Sequence, residues 1–201
     1  INAFGTTASP TGTFDPMTVR WSNQEDYSNW TPSVSSTSGE TILTDGTRIV
    51  GAVRSRNAIT IWTDNSLWQM QYVGPPFIFN FRQLGTNCGM IGPHAGVDYN
   101  GTPIWMGYEN FYAYDGQVRN LPATIRRYVF DNLNIDQKDK VYAGINSEFK
   151  EIIWFKLSNT YLLQILLNVI VMYSILLKKT IGHMVVVFGQ PLQIEQFLEI
   201  Q

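Results

Sequence analysis

The sequence predicts an all-β fold made of antiparallel β-meander units, with one short helix. Residues 58–84 contain three short runs rich in strand-forming residues, the second of which alternates apolar and polar side chains, and this is the pattern of a meander. Aromatic residues make up 13% of the chain, which favours packed strands. Turn signals recur at short intervals, at Asp45-Gly46, Asp64-Asn65, Asn100-Gly101 and Asp115-Gly116.

The meander in residues 58–84 sets the architecture. Strands are predicted at 58–62 and 67–72, joined by a turn at Thr63–Ser66, and a third strand at 77–82 follows Gly74-Pro75-Pro76. Three strands with an aromatic face need another sheet to cover that face. We therefore predict four-stranded units in a partial β-propeller or a closely related array of sheets.

Three regions are expected along the chain. Residues 1–16 are rich in Gly, Thr, Ser and Pro and predict an arm or loop from an upstream region, which fits a fragment of a longer protein. Residues 17–158 form the structural domain, which opens with a short strand at Thr18–Trp21 and a surface loop at 23–38. No signal peptide is visible at the start.

The second half of this domain continues the strand pattern. A Gly-rich connection at 85–96 is expected to need unusual backbone angles. Hairpins are predicted around Asn100-Gly101 and Asp115-Gly116, and a strand pair around Asn146-Ser147. Helical spacing predicts one short helix within Pro122–Asn134, centred on Ala123–Leu133.

Residues 159–201 have a different character. All six tryptophans precede them, and Tyr161–Leu177 is almost continuously apolar, which predicts helix. One interpretation is a membrane span over 161–177. The favoured hypothesis is a frameshift product, because the neighbouring reading frame yields tryptophan at Ile181-Gly182 and Phe188-Gly189 with permissive third bases. The tail is then aberrant and has no evolved function, and a membrane is not expected to be a partner.

Composition narrows the function further. The net charge is −2, which means that the chain has no excess of basic residues. Specific nucleic-acid recognition is therefore not predicted. Cys88 is the single cysteine, which excludes an internal disulfide and a cysteine-built zinc site. His94 has no second ligand nearby in sequence, and His183 lies in the tail. We predict no metal and no cofactor.

Acidic residues give no catalytic pattern. The cluster Asp131, Asn134, Asp136 and Asp139 fails the spacing of a calcium loop and lacks its central glycine. Paired carboxylates for glycoside cleavage would have to come from Asp64, Asp98, Glu109 and Asp115. Turn chemistry accounts for two of the four, so we predict no catalytic residue and no enzyme.

A set of short motifs resembles a family of bacteriophage virion structural proteins and, more loosely, the tail nozzle or tail hub proteins of short-tailed phages. The match covers about Phe14 to Leu157, and the tail departs from it. The resemblance implies β-propeller blades, and copies arranged as a ring around the DNA exit channel of the virion. It rests on the following runs: Arg20–Asp26, Trp30-Thr31-Pro32, Ile61–Asp64, Asn87-Cys88-Gly89, Ile91-Gly92-Pro93, Trp105-Met106-Gly107 and Phe111–Gly116.

We therefore expect a virion component that assembles with other virion proteins, with the turn tips as subunit contacts. The alternatives are a carbohydrate-binding or glycan-cleaving host-attachment propeller, and a membrane-anchored protein. The candidate contacts are Trp30, Asp64, Asn65, Asn100, Gly101, Asp115 and Gly116.

Overall fold

The computed structural model describes residues 1–9, 11–123 and 126–157, and the backbone of two strands in the tail. These residues form successive antiparallel meanders, and each sheet is completed before the next begins. No sheet among them closes into a barrel. The predicted all-β class with antiparallel meander units is confirmed.

The first meander has three strands, and the second, third and fourth have four each. The first contains β1 (Asn2–Thr7), β2 (Phe14–Trp21) and β3 (Gly39–Ile42), and the second contains β4 (Ile49–Arg54), β5 (Ile59–Thr63), β6 (Leu67–Gly74) and β7 (Ile78–Gly85). The third contains β8 (Gly96–Tyr99), β9 (Thr102–Met106), β10 (Phe111–Tyr114) and β11 (Val118–Asn120), and the fourth contains β12 (Tyr142–Asn146), β13 (Glu151–Lys156), β14 (Asn168–Tyr173) and β15 (Val186–Phe188).

The second sheet is covered on both faces. Ile61 and Trp62 are neighbours on β5, so their side chains point to opposite faces, and both are fully buried. Ile61 packs in one core cluster with Val19 and Trp21 of the first sheet. Trp62 packs in the other cluster, with its ring 5.7 Å from that of Trp105 in the third sheet.

The third sheet is enclosed in the same way. Trp105 faces Trp62, whereas Phe111 lies on the other face with its ring 5.1 Å from Trp154 of the fourth sheet. The first strands of consecutive meanders also lie side by side, β4 beside β8 and β8 beside β12. Aromatic and aliphatic side chains therefore fill the space between sheets.

The predicted helix is present but shorter. Helix α1 spans Arg126–Asp131, Thr124 and Ile125 lie outside the described residues, and Val129 is buried in the core. The helix ends at Asp131, and the Asn134 N–H donates to the Leu157 carbonyl over 3.0 Å, which ties the following residues to the end of β13. A 3-10 helix over Ile135–Lys140, which the sequence did not indicate, follows.

The prediction of an arm or loop over residues 1–16 is wrong for most of that segment. Residues 2–7 form β1, which pairs antiparallel with β2, and β2 itself begins at Phe14. The connection is tight, since Ala8 N–H donates to the Thr13 carbonyl over 2.9 Å. Threonine is common in strands as well as in loops, so a prediction from composition alone was wrong for this segment.

The helical expectation for the tail is also wrong where the tail is described. β14 pairs with β13 along Glu151–Lys156, and β15 pairs with β14. The β-branched run Val169-Ile170-Val171 supplies a partner for the otherwise open edge of β13. No helix in the described residues is long and apolar enough to cross a membrane. The rest of 159–201 lies outside the described residues, and the frameshift hypothesis stays a prediction about the gene.

Candidate functional site

A buried tryptophan recurs on the second strand of every meander. Trp21 stands on β2, Trp62 on β5, Trp105 on β9 and Trp154 on β13, and each is less than a tenth exposed. The intervals are 41, 43 and 49 residues (21 to 62, 62 to 105, 105 to 154). A period of 40 to 50 residues is typical of repeated sheets, roughly one sheet per period. This signal was present in the sequence and was missed.

The indoles tie the Gly-rich connection 85–96 to the later sheets. Trp105 Nε1–H donates to the Cys88 carbonyl over 2.7 Å, and Trp154 Nε1–H donates to the Ala95 carbonyl over 2.9 Å. Both bonds are buried, where a satisfied polar group stabilises packing. These rings are structural parts of the interfaces between sheets.

The glycines of this connection serve close packing. None of Gly85, Gly89, Gly92 and Gly96 has a positive φ, so the prediction of unusual backbone angles is wrong for them, although Asn87 has a φ of 53°. A Cβ on Gly89 would overlap the Asp64 carbonyl, and one on Gly92 would lie 2.5 Å from the Lys138 carbonyl. Glycine is needed here because other backbone segments approach closely.

A groove of about 410 Å³ runs along the first strands β4, β8 and β12. Its polar lining includes Arg54, His94 and Asp98. Asp98 is engaged locally, because it accepts hydrogen bonds from the Ser55 hydroxyl and from Gly101 N–H, the latter at 2.7 Å. His94 lies beside Tyr142, with ring centroids 6.0 Å apart. The groove therefore offers one engaged carboxylate and no opposed acid pair.

Six of the seven predicted contact residues lie at two opposite ends of the sheets. Asn100-Gly101 lies next to the β4–β5 connection, as the Ser55–Asp98 hydrogen bond shows. We call this the hairpin end, and Asp115-Gly116 lies there too, since β8, β9 and β10 alternate in direction. Asp64-Asn65 lies at the other end of β5, which we call the loop end.

The Asp64-Asn65 turn is enclosed by other parts of the chain. Asp64 accepts hydrogen bonds from Thr47 N–H over 2.7 Å, from the Thr47 hydroxyl and from Arg48 N–H. Burial alone would raise the pKa of Asp64, but these hydrogen bonds outweigh it and lower that pKa. Asn65 Nδ2 donates to Asp45 Oδ1 over 2.5 Å. We call this network the turn clamp, and it gives both residues an internal role.

The other candidate contacts are free to different degrees. Asn100 and Gly101 have φ values of 55° and 85°, which is the two-residue hairpin turn that Asn-Gly predicts, and both are exposed. Asp115 and Gly116 are exposed, and Asp115 pairs with Arg119. Trp30 is half-buried, and its carbonyl accepts a hydrogen bond from Arg20 over 2.7 Å. The hairpin end thus holds the candidates that remain open to a partner.

The four predicted acids lie on different connections or strands, and Glu109 lies in the β9–β10 connection. Asp64 lies at the loop end, whereas Asp98 accepts a hydrogen bond from Gly101 N–H at the hairpin end. Asp115 forms an ion pair with Arg119. Asp131 pairs with Arg127 over 3.4 Å. In the described part of the chain no three His, Cys, Asp or Glu side chains are grouped to hold a metal ion.

Two other groups with reactive side chains, the Cys88 thiol and the Lys156 ammonium, are buried. Burial raises the pKa of the Cys88 thiol to about 11, which keeps it protonated and unreactive near neutral pH. Burial lowers the pKa of Lys156 to about 8. Its ammonium donates to the Asn132 carbonyl over 3.1 Å, just after helix α1.

No model of a known protein family matches the chain, and no curated protein matches it.

Proposed function

We propose that the chain is a structural component of a bacteriophage virion, a tail nozzle or hub subunit that contributes β-propeller blades to an oligomeric ring and catalyses no reaction. The proposal starts from the resemblance of Phe14–Leu157 to such proteins. The observation that carries it is the use of the aromatic rings, because Trp62, Trp105 and Trp154 are fully buried between sheets. Rings that fill interfaces are not available to stack a substrate.

The arrangement of the sheets supports a blade role. The second and third sheets are each packed between two neighbours, and β4, β8 and β12 run side by side along one groove. Radially stacked meanders have this relation between their first strands. The outer sheets then offer faces and edges to the next copy or to another virion protein.

The net charge of the chain fits a protein that forms part of a channel or collar without holding DNA. The net charge of −2 provides no excess of basic groups to hold a phosphate backbone. A rigid, nearly neutral part works by its shape and by its contacts with neighbours.

The experiment is to locate the protein in purified virus particles and to measure its assembly. We expect immunogold labelling with an antibody against this chain to mark the tail end of the particle, and sedimentation of the purified full chain to give a closed oligomer. Absence of label from intact and detergent-opened particles would overturn the virion assignment. A chain that stays monomeric at all concentrations would overturn the ring.

A further inference from the structure

The turn of the β8–β9 hairpin, Asn100-Gly101, is the only place in the sequence where asparagine directly precedes glycine. Both residues are exposed at the hairpin end. Among the described residues the side-chain amide of Asn100 takes part in no hydrogen bond. This amide is therefore free to change its rotamer and to approach the backbone nitrogen that follows it.

An asparagine in this position reacts with its own main chain. The Gly101 nitrogen attacks Cγ of Asn100, and the new C–N bond closes a succinimide ring. The bond from Cγ to Nδ2 breaks, and Nδ2 leaves as ammonia with the proton that the Gly101 nitrogen gave up. Water then opens the ring at either carbonyl and produces aspartate or isoaspartate. Glycine favours the attack because no Cβ shields its nitrogen.

The folded hairpin restrains the attacking nitrogen. Gly101 N–H donates to Asp98 Oδ1 over 2.7 Å, and the Ser55 hydroxyl, from the β4–β5 connection of the second sheet, donates to Asp98 Oδ2. Hydrogen bonds to a carboxylate are stronger than those between neutral groups. The Gly101 nitrogen must give up this bond before it can reach Cγ of Asn100. Asp98 and Ser55 therefore control how often the nitrogen is available.

Asn57 offers a comparison within the same chain. It is exposed in the β4–β5 turn, and it lines the same surface hollow as Asn100. Its side chain also takes part in no hydrogen bond among the described residues. The residue that follows it is Ala58, whose Cβ hinders the approach to the nitrogen. The important difference between the two asparagines is thus the next residue.

We propose that Asn100 is a site of spontaneous deamidation, and that the hydrogen bonds from Ser55 and Gly101 to Asp98 set its rate. The aspartate product places a second carboxylate close to Asp98, and like charges repel. The isoaspartate product adds a carbon to the main chain of a two-residue turn, which fixes the pairing of β8 with β9. The site adds a modification to the structural role, and it does not rest on the virion assignment.

The test keeps the purified full chain at mildly alkaline pH for several weeks. Peptide mapping by mass spectrometry locates the modified residue, and enzymatic methylation detects isoaspartate. We expect modification at Asn100 while Asn57 stays intact. Asp98→Ala should raise the rate about tenfold, the factor expected when a hydrogen bond to a charged group is lost. Ser55→Ala should raise it about threefold, because Asp98 keeps its bond to Gly101 but loses its support.

Two further variants separate the chemistry from a general loosening of the hairpin. Asp98→Asn keeps an acceptor oxygen for Gly101 N–H, so its rate should stay closer to wild type than that of Asp98→Ala. Gly101→Ala places a Cβ beside the attacking nitrogen and should abolish the modification over the same period.

Four results would overturn the proposal. Asn100 that stays intact in the wild-type chain, or Asn57 that reacts as fast as Asn100, would show that this turn is not a special site. Gly101→Ala that reacts at the wild-type rate would exclude attack by the Gly101 nitrogen. A rate that Asp98→Ala leaves unchanged would remove the control by Asp98.

Discussion

The turn at Asp64-Asn65 and the turn at Asn100-Gly101 both join adjacent strands of one meander, yet other parts of the chain enclose only the first. Asp64 binds the backbone of Thr47 and Arg48, and Asn65 binds Asp45. In the Asn100-Gly101 turn, Gly101 N–H donates one hydrogen bond to the Asp98 carboxylate of the same hairpin. One turn thus belongs to a network of distant segments, and the other is held mainly by its own hairpin.

This difference separates the two ends of the sheets. At the loop end the turn clamp joins the connection before β4 to the β5–β6 turn, and Gly89 brings a third segment against the same turn. At the hairpin end the Asn100-Gly101 turn is closed by Asp98 of its own hairpin, and one hydrogen bond, from the Ser55 hydroxyl to Asp98, reaches it from another sheet. The loop end is therefore expected to contribute to stability, and the hairpin end to be available for ligands and neighbouring subunits.

The largest effect is expected from Gly89→Ala. The new Cβ would overlap the Asp64 carbonyl, and a backbone atom cannot move aside without moving the turn clamp. We expect the free energy of unfolding to fall by about 3 kcal/mol, as for overpacking against rigid neighbours. Urea denaturation followed by tryptophan fluorescence measures it.

Gly144→Ala is the control for that substitution. Among the described residues its Cβ would meet Tyr142 Cε1 alone, at 3.8 Å, an ordinary van der Waals contact. The change in unfolding free energy should stay within about 0.5 kcal/mol. Equal losses in the two variants would show that the approach of Gly89 to Asp64 has no special importance.

The sequence predicted those parts of the fold that are decided locally. Alternation and turn residues were sufficient for residues 58–84, and Asn100-Gly101 identified its hairpin directly. β1 was missed because its strand character depends on pairing with β2 and its composition resembles a loop. Strands defined by a partner are not visible in their own residues.

The sites were less predictable, because each joins distant segments. Asp64 was correctly placed in a turn, but its partner Thr47 lies 17 residues earlier and nothing local marks the pairing. The groove along β4, β8 and β12 gathers residues from three sheets, so no motif describes it. The tryptophan repeat, with one buried tryptophan in each meander, was a long-range signal that could be recognised from the sequence.

Asp64→Ala is expected to have the next largest effect. It leaves the N–H groups of Thr47 and Arg48 without their acceptor, which costs about 1 kcal/mol of unfolding free energy because both residues are exposed to water. Hydrogen exchange should also become faster at the amides of Thr47 and Arg48.

The pH dependence of this loss identifies the carboxylate. The pKa of Asp64 is lowered in the folded chain from its usual 3.8, so its stabilisation is fully present above that value and is lost as pH falls through the folded pKa. The difference between wild type and Asp64→Ala should therefore shrink in acid. A difference that stays constant from neutral to strongly acidic pH would contradict the turn clamp.

Gly101→Ala tests the independent turn. Gly101 has a φ of 85°, where a Cβ costs about 1 kcal/mol, and no atom lies within 4 Å of that Cβ. We expect a loss of that size with unchanged amide exchange at Thr47 and Arg48. Faster exchange at those two amides would show that the two ends are coupled and would remove the distinction between them.

The smallest effect on stability is expected from Asp115→Ala at the tip of the β10–β11 hairpin. The Asp115–Arg119 pair is exposed, and exposed pairs contribute less than about 1 kcal/mol. Asp131→Ala, which breaks the exposed Arg127–Asp131 pair on helix α1, is the matched control and should be equally mild. The two variants should differ in self-association, measured by sedimentation velocity, because only Asp115 lies at the hairpin end. If both leave the oligomer unchanged, Asp115 is not a subunit contact, and an open turn at this end is insufficient to mark an interface.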